Sequence, residues 1–190
     1  MMEISVEVNH KEIEKALGAL KSKSPEILKR AVNATARQAQ TALFHEAKKT
    51  YVAKASIFKS KSRSLKLKRA NNTNLTAHLQ SEGGPLALYG FKVKATDEST
   101  KAKGLRASPL KNLKVGDRWA FVATMKSGHI GVFQRNTSSR LPIHEFFSVS
   151  IPQMIGNEAE VYGKLEPDFE DMLYKNIERE IEKYLSRQRS

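Results

Sequence analysis

Between Ser24 and Tyr51, Leu28, Ala31, Val32, Thr35, Ala39, Ala42, Leu43 and Ala47 recur at three- and four-residue steps. That period places them on one side of an α-helix of about seven turns, and the many alanines let another element pack closely against it. Ser24-Pro25 supplies the start, with Ser as N-cap and Pro at the first helical position, where its missing N–H costs nothing. A helix of this length needs a sheet face or a second helix to cover its apolar side. The rest of the chain must supply that cover.

Two kinds of partner are legible. MEISVEV alternates Ile4, Val6 and Val8 with polar Ser5 and Glu7, the period-2 pattern of a half-buried strand. LTAHLQ, PLALYGFKVKA, WAFVATM and HIGVFQR also read as strands, with Trp119, Phe121, Ala123 and Met125 on one face of the third. Lys126-Ser127-Gly128 fits a three-residue hairpin loop with glycine in the left-handed position, which makes the last two strands antiparallel. The second partner is helical. After Glu166-Pro167, Asp168, Glu170 and Asp171 suit a first turn, Arg187 and Arg189 suit a last one, and Phe169, Leu173, Ile177, Ile181 and Leu185 form a stripe spaced by four. That stripe needs either the long helix or another copy of the chain.

The remaining stretches are less regular. Residues 9–20 read as a short helix with Asn9 as cap, Glu12 as its capping-box partner and Ile13, Ala16, Leu17 and Leu20 as its stripe. The long polar run from Lys94 to Asp117 reads as a mobile excursion between strands. Lys54 to Ala70 reads as a short helix and a basic surface loop, within a long basic loop region of about 52–72. At 190 residues the chain suits one domain, 1–190, with a C-terminal helical segment over about 153–187. The expected class is α+β, an antiparallel sheet packed against the long N-terminal helix, with an amphipathic C-terminal helix.

Charge narrows the partners. The net charge of +13 attracts nucleic acid, anionic lipid or acidic protein. Its distribution is uneven: no acidic residue lies between Glu46 and Glu82, where Lys48, Lys49, Lys54, Lys59, Lys61, Arg63, Lys66, Lys68 and Arg69 all fall. The C-terminal part carries Glu158, Glu160, Glu166, Asp168, Glu170, Asp171, Glu178, Glu180 and Glu182. Such segregation favours either a fold-back contact or head-to-tail association of copies. Lys59, Lys61, Arg63, Lys66, Lys68 and Arg69 are the residues expected to face DNA, if DNA is bound. Only Tyr51 and Phe58 stand there as stacking residues, which argues against a single-strand platform. No stretch approaches the ~18 apolar residues of a membrane span, and the N-terminus lacks a signal architecture, so no membrane partner and a cytoplasmic site are expected.

Chemistry finds little support. With no cysteine the chain has no thiol nucleophile and no Cys-based zinc site. HEFFS, from His144, stops one residue short of the HExxH pattern, because position 148 is Ser, and Pro142 and Pro152 bracket residues that make a poor helix. A metal site from His129, His144 and Glu145 competes with a structural reading of two histidines near a turn, and the latter is the commoner case. No G-x-S-x-G elbow and no P-loop are present. We expect no enzyme, no catalytic residue, no metal and no cofactor.

The run FVATMKSGHIGVFQR through RLPIHEFFSVSIPQM, residues 121 to 154, resembles the prophage minor tail protein Z family, the tail-completion proteins of long-tailed bacteriophages. Gly128-His129, Gly131-Val132-Phe133, Arg135, Leu141-Pro142-Ile143, Glu145 and Ile151-Pro152-Gln153-Met154 carry it. Ser148-Val149 stands where family members often have Gly-Pro. The resemblance implies a structural virion protein made in the host bacterial cytoplasm. It would complete the tail at its head-proximal end, join tail to head and assist DNA passage. Its implied partners are tail-tube and head–tail connector proteins and further copies in a homo-oligomer. From the residues alone, Gly131 permits close approach within a strand, and Pro142 with Pro152 stiffens an extended edge segment. Gly131, Arg135, Arg140, Pro142 and Glu145 are therefore the candidate assembly interface. The alternative is a nonspecific nucleic-acid-binding protein using the basic 48–69 region.

Overall fold

The computed structural model describes residues 2–6, 23–54, 57–58, 64–94, 105–108, 115–117 and 120–188. The expected helix over 9–20, Trp119, Lys59, Lys61 and Arg63 lie outside them. Helix α1 spans Ser24–Thr50, as the periodicity requires, but its cap differs from expectation. Lys23 occupies the cap position without a side-chain bond, and Ser24 is already helical and fully buried, so its hydroxyl is not the cap. Pro25 sits in the first turn, where no N–H is needed.

One face of α1 is covered by a three-stranded antiparallel sheet in the order β1 (Met2–Val6), β3 (Ala77–Ser81), β2 (Lys66–Lys68). Alternation decides which side of the sheet turns inward. Ile4, Ala77, Leu79 and Ser81 are buried with the helix, and Leu67 opposite Leu79 is half-buried. Two amides of α1, two turns apart, fix the chain around β2. Asn33 bonds both the N–H and the C=O of Ala70, at 2.9 and 3.1 Å, and Gln40 donates to the Leu65 carbonyl at 2.6 Å. The stretch read as a basic loop is thus partly an edge strand: Leu65 and Leu67 pack inward while the lysines turn out. Ile57 and Phe58 form a turn, not a described helix, and Phe58 is buried beside Phe44.

The other flank of α1 is taken by α3 (Tyr162–Gln188). Leu173 and Ile177 join Leu28, Ala31, Val32 and Ala36 in one apolar cluster, so the stripe finds its partner within the chain. A stripe spaced by four drifts about 40° per step on a 3.6-residue turn, which carries Leu185 out to 42% exposure. Buried Asn176 takes the place nearest α1 instead and donates to Thr35 Oγ1 at 2.9 Å and to Gln38 Oε1 at 2.8 Å.

Helix α3 begins before Pro167, not after it, and its first turn holds no acidic residue. The expected pairing of Asp168, Glu170 and Asp171 with the N-terminal dipole therefore does not arise. Asn157 explains the early start. Its carbonyl accepts from Val161 and Tyr162, its side chain accepts from Glu160 N–H, and its amide reaches Tyr51 at the end of α1. The incoming chain meets orphan donors from outside the helix. Gly163 permits the tight entry, since a side chain there would collide with the Glu158 carbonyl.

PLALYGFKVKA is broken rather than continuous: β4 (Leu86–Ala87), a single 3-10 turn over Leu88–Gly90, then β5 (Lys92–Lys94). Gly90 packs against Ile57 so closely that a Cβ would collide with that side chain, and Phe91 is fully buried. The polar run expected to be an excursion contributes β6 (Leu105–Ser108), which pairs antiparallel with β5, and β7 (Val115–Asp117), which pairs antiparallel with β6, in the order β5-β6-β7. A further sheet, β10-β9-β8, comprises β8 (Ala120–Thr124), β9 (Ile130–Arg135) and β10 (Ile143–Glu145). The strands β11 (Phe147–Ser148) and β4 form a two-stranded antiparallel pair. The short helix α2 (Ile151–Ile155) starts in a capping box in which Ser150 and Gln153 bond reciprocally. Pro152 lies in that first turn, so it opens a helix and does not stiffen an extended segment. The class is α+β, as expected, with the strands shared among several small sheets.

Candidate functional site

The hairpin of β8 and β9 has the expected loop. Met125 N–H bonds the His129 carbonyl, Gly128 N–H bonds the Met125 carbonyl, and Gly128 has φ of 81°, a left-handed value. Strand β10 then returns along β9, with Ile143 opposite Arg135 and Glu145 opposite Phe133. β10 is the edge strand of its sheet, and beyond it the chain passes into the β11–β4 pair. Phe146 donates to Val132 of β9 and accepts from Leu88 beside β4, so the chain steps from one sheet to the other through it. Val132 and Phe133 are buried, which ties this hairpin to the core.

The candidate residues divide into two groups. Glu145 and Gly131 meet: a Cβ on Gly131 would stand 2.6 Å from Glu145 Oε1 and 2.8 Å from the Phe133 ring. The close approach foreseen for Gly131 is real, but the approaching groups are side chains. Glu145 uses the room to bond His129 Nε2 at 2.9 Å, with His129 edge-on to Phe133. Arg135, Arg140 and Pro142 lie apart from that pair, on or beside the exposed loop 136–142. The Arg135 guanidinium stands 5.2 Å from the centre of the Phe121 ring. Arg140 has no hydrogen-bond or ion-pair partner among the described residues. The loop closes through Asn136 N–H to the Pro142 carbonyl, with Leu141-Pro142 cis, and Leu141 is 66% exposed at its tip. Phe121 was read as a strand residue and Leu141 as part of the family motif, but neither was among the candidate interface residues; a leucine between Arg140 and Pro142, outside any apolar period, was the available signal.

The metal reading fails on geometry. His144 and Glu145 are neighbours on a strand and so point to opposite faces. His144 Nδ1 is 2.6 Å from Asn136 Oδ1 and its ring packs on Phe146, well apart in bonding from the His129–Glu145 pair. Among the described residues no group of three His or carboxylate side chains could hold a metal.

Of the residues proposed to face DNA, Lys66, Lys68 and Arg69 are exposed. Lys66 and Lys68 point away from α1 on the outer face of their sheet, and Lys66 lies 3.8 Å from Glu82. Tyr51 and Phe58 are core residues, so neither can stack on a base. Arg37, exposed on α1 between Asn33 and Gln40, adds a cation along the β2 edge. No helix among the described residues is long and apolar enough to cross a membrane.

These features define a class before any comparison: a protein that presents an exposed loop, 136–142, with an apolar residue at its tip and arginines on and beside it, while among the described residues the histidines and carboxylates do not cluster. Such a loop is suited to contact with another surface. The chain belongs to the prophage minor tail protein Z (GPZ) family, whose match covers residues 10–189. It is accordingly a phage minor tail structural protein associated with the virion. No curated protein matches the chain, and no solved structure does.

Proposed function

We propose that the protein completes the tail at its head-proximal end and helps to join tail and head, using the β9–β10 loop as its contact with neighbouring subunits. The carrying observation is that loop: residues 136–142 are exposed, Arg140 adjoins Leu141, Arg135 ends the strand that leads into it, and the strands beneath are anchored through Val132 and Phe146. An exposed apolar residue next to one arginine, with a second arginine at the foot of its loop, suits a protein surface bearing carboxylates. The neighbours are further copies, tail-tube protein and head–tail connector proteins, met in the host cytoplasm during assembly. A phage lacking the gene should make normal heads and tails that fail to unite or inject. Wild-type plaque yield from that deletion overturns the reading.

One observation favours a DNA contact as well. Lys66 and Lys68 project side by side from the outer sheet face, with Arg69 and Arg37 at the edge. Such a face can neutralise phosphates without reading sequence. Binding that is absent even at low salt removes this second reading.

A further inference from the structure

His78 stands on β3, the middle strand of the β1-β3-β2 sheet, on the face turned away from α1. Its strand neighbours Ala77 and Leu79 are buried with the helix, and alternation sends His78 to the other side, with Lys66 and Lys68. Register sets Lys68 directly across from it on β2 and Ser5 directly across on β1. Its Nδ1 is closed to solvent and lies 2.8 Å from Glu3 Oε1, within ion-pair range but without hydrogen-bond alignment. Nε2 has no partner among the described residues, and the side chain is 32% exposed. The charged groups described around the ring are Glu3 on β1, Lys66 and Lys68 on β2, and Glu82 at 3.8 Å from Lys66, with Arg69 and Arg37 at the β2 edge. While the imidazole is neutral, the two lysines and two carboxylates on this face balance, and the edge arginines alone favour an anion.

We propose that Lys68 and a protonated His78 grip one phosphate of duplex DNA between them, so that the protein takes up a proton when it binds. This rests on the DNA reading of the same face. Residues directly opposite on antiparallel strands have Cβ atoms about 4.5–5.5 Å apart, close enough for both side chains to reach one phosphate, and like charges so placed are destabilising. Lys68 repels the charged ring in the free protein and Glu3 attracts it. A phosphate seated between ring and lysine turns that repulsion into a shared contact, with Nε2–H donating to a phosphate oxygen. Imidazole is the side chain whose ordinary change of charge falls between about pH 5 and 8, so this contact is the part of the face that pH can switch. Where one proton is taken up per site, linkage raises the association constant by up to about tenfold for each unit that pH falls.

The test is duplex affinity by fluorescence anisotropy at low, constant ionic strength from about pH 8 down to about pH 5.5. Wild-type affinity should rise about tenfold or more over that span. His78→Gln, checked for native circular dichroism, should keep the affinity seen at the alkaline end and lose most of the rise, the remainder belonging to the other histidines. His78→Lys carries its charge throughout and should bind at the alkaline end as tightly as the wild type does at the acid end, with little further change. The proposal is overturned by wild-type binding that does not strengthen as pH falls, by a His78→Gln protein that keeps the full rise, or by a His78→Lys protein no tighter than the wild type at the alkaline end. Each of those results leaves the lysines as the DNA contact. No binding at any of these pH values removes the DNA reading of the face, and this proposal falls with it.

Discussion

Asn157 donates its side-chain amide to the Tyr51 hydroxyl at 3.0 Å, joining the end of the long helix to the turn that launches the C-terminal one. Tyr51 is 4% exposed. Burial raises its pKa above the ordinary value of 10.0, the Asn157 bond opposes that shift, and the nearby Glu160 charge adds to it. A phenol with a raised folded-state pKa stabilises the fold at pH values below its unfolded pKa, and that contribution is lost as pH rises through the folded one. Unfolding midpoints in denaturant should therefore fall as pH climbs above about 10. Tyr51→Phe should cost about 0.5–1.5 kcal/mol at neutral pH and flatten the alkaline decline. An equally steep decline in Tyr51→Phe would assign the effect to other groups.

The second polar tie between the helices is fully inside. Asn176 is 3% exposed and serves Thr35 and Gln38 at once. Thr35 Oγ1 also donates to the Ala31 carbonyl, so its oxygen is held in place for the amide. Asn176→Ala should destabilise by about 1–3 kcal/mol, since it strips a buried hydroxyl of its partner and leaves a void. Thr35→Val in the same background should then cost less than it does alone, because the two residues share one interaction. Equilibrium urea unfolding of the four proteins measures this; strict additivity would show that the bonds contribute nothing jointly.

The elements legible in the sequence are those written in local chemistry. Leu28 to Ala47 fixed one period, and Gly128 stood where a three-residue hairpin loop needs a left-handed residue. The misread boundaries depend on distant residues. Pro167 looked like a helix start by the local rule, but Asn157 had already begun the helix with bonds that run back to Tyr51. Leu86, Leu88 and Phe91 resembled one strand until Ile57 packed on Gly90 and broke it. Lys66 and Lys68 looked like loop lysines because the amides that hold the chain on either side of them, Gln40 at Leu65 and Asn33 at Ala70, are far away in sequence. At the candidate site, Gly131 and Glu145 were singled out separately, and no local pattern shows that one makes room for the other. Arg135 and Glu145 were expected together in one assembly interface, yet Glu145 bonds His129 and Arg135 stands over the Phe121 ring.

That shared space makes Gly131 testable. Gly131→Ala places a methyl where the Glu145 carboxylate and the Phe133 ring now lie, and should destabilise by about 1–3 kcal/mol. Part of the clash is with a carboxylate that can be removed. In an Glu145→Ala background the same change should cost measurably less, a coupling that thermal unfolding of the four proteins would read. A Gly131→Ala protein as stable as the wild type would mean that both neighbours move aside freely.

Arg135 and Arg140 give the opposite expectation, a loss of function without loss of fold. Both are exposed, and the Arg135 contact with Phe121 is an exposed cation–π pair worth about 0.5–1 kcal/mol. Arg140→Glu should leave the unfolding midpoint within about 0.5 kcal/mol of the wild type. It should nevertheless fail to restore plaque yield to a deletion phage, because the loop then repels the carboxylates it is proposed to meet. Full complementation by Arg135→Glu together with Arg140→Glu would remove the loop from the assembly surface.

The basic sheet face is separable from that loop by salt. If Lys66 and Lys68 each neutralise one phosphate, the logarithmic dependence of duplex affinity on salt should weaken by about 0.9 for each lysine removed. Lys66→Gln with Lys68→Gln should thus lower the slope by about 1.8 and weaken binding alike on unrelated sequences. Both side chains are exposed on the edge strand, and Leu67 between them holds the core contact, so the fold should survive the exchange. Arg140→Glu is the control, expected to leave the slope within about half of one phosphate contact of the wild type. Fluorescence anisotropy on a short duplex across a salt series gives both numbers. A slope unchanged in the lysine variant, with binding retained, would move any DNA contact to another face of the molecule.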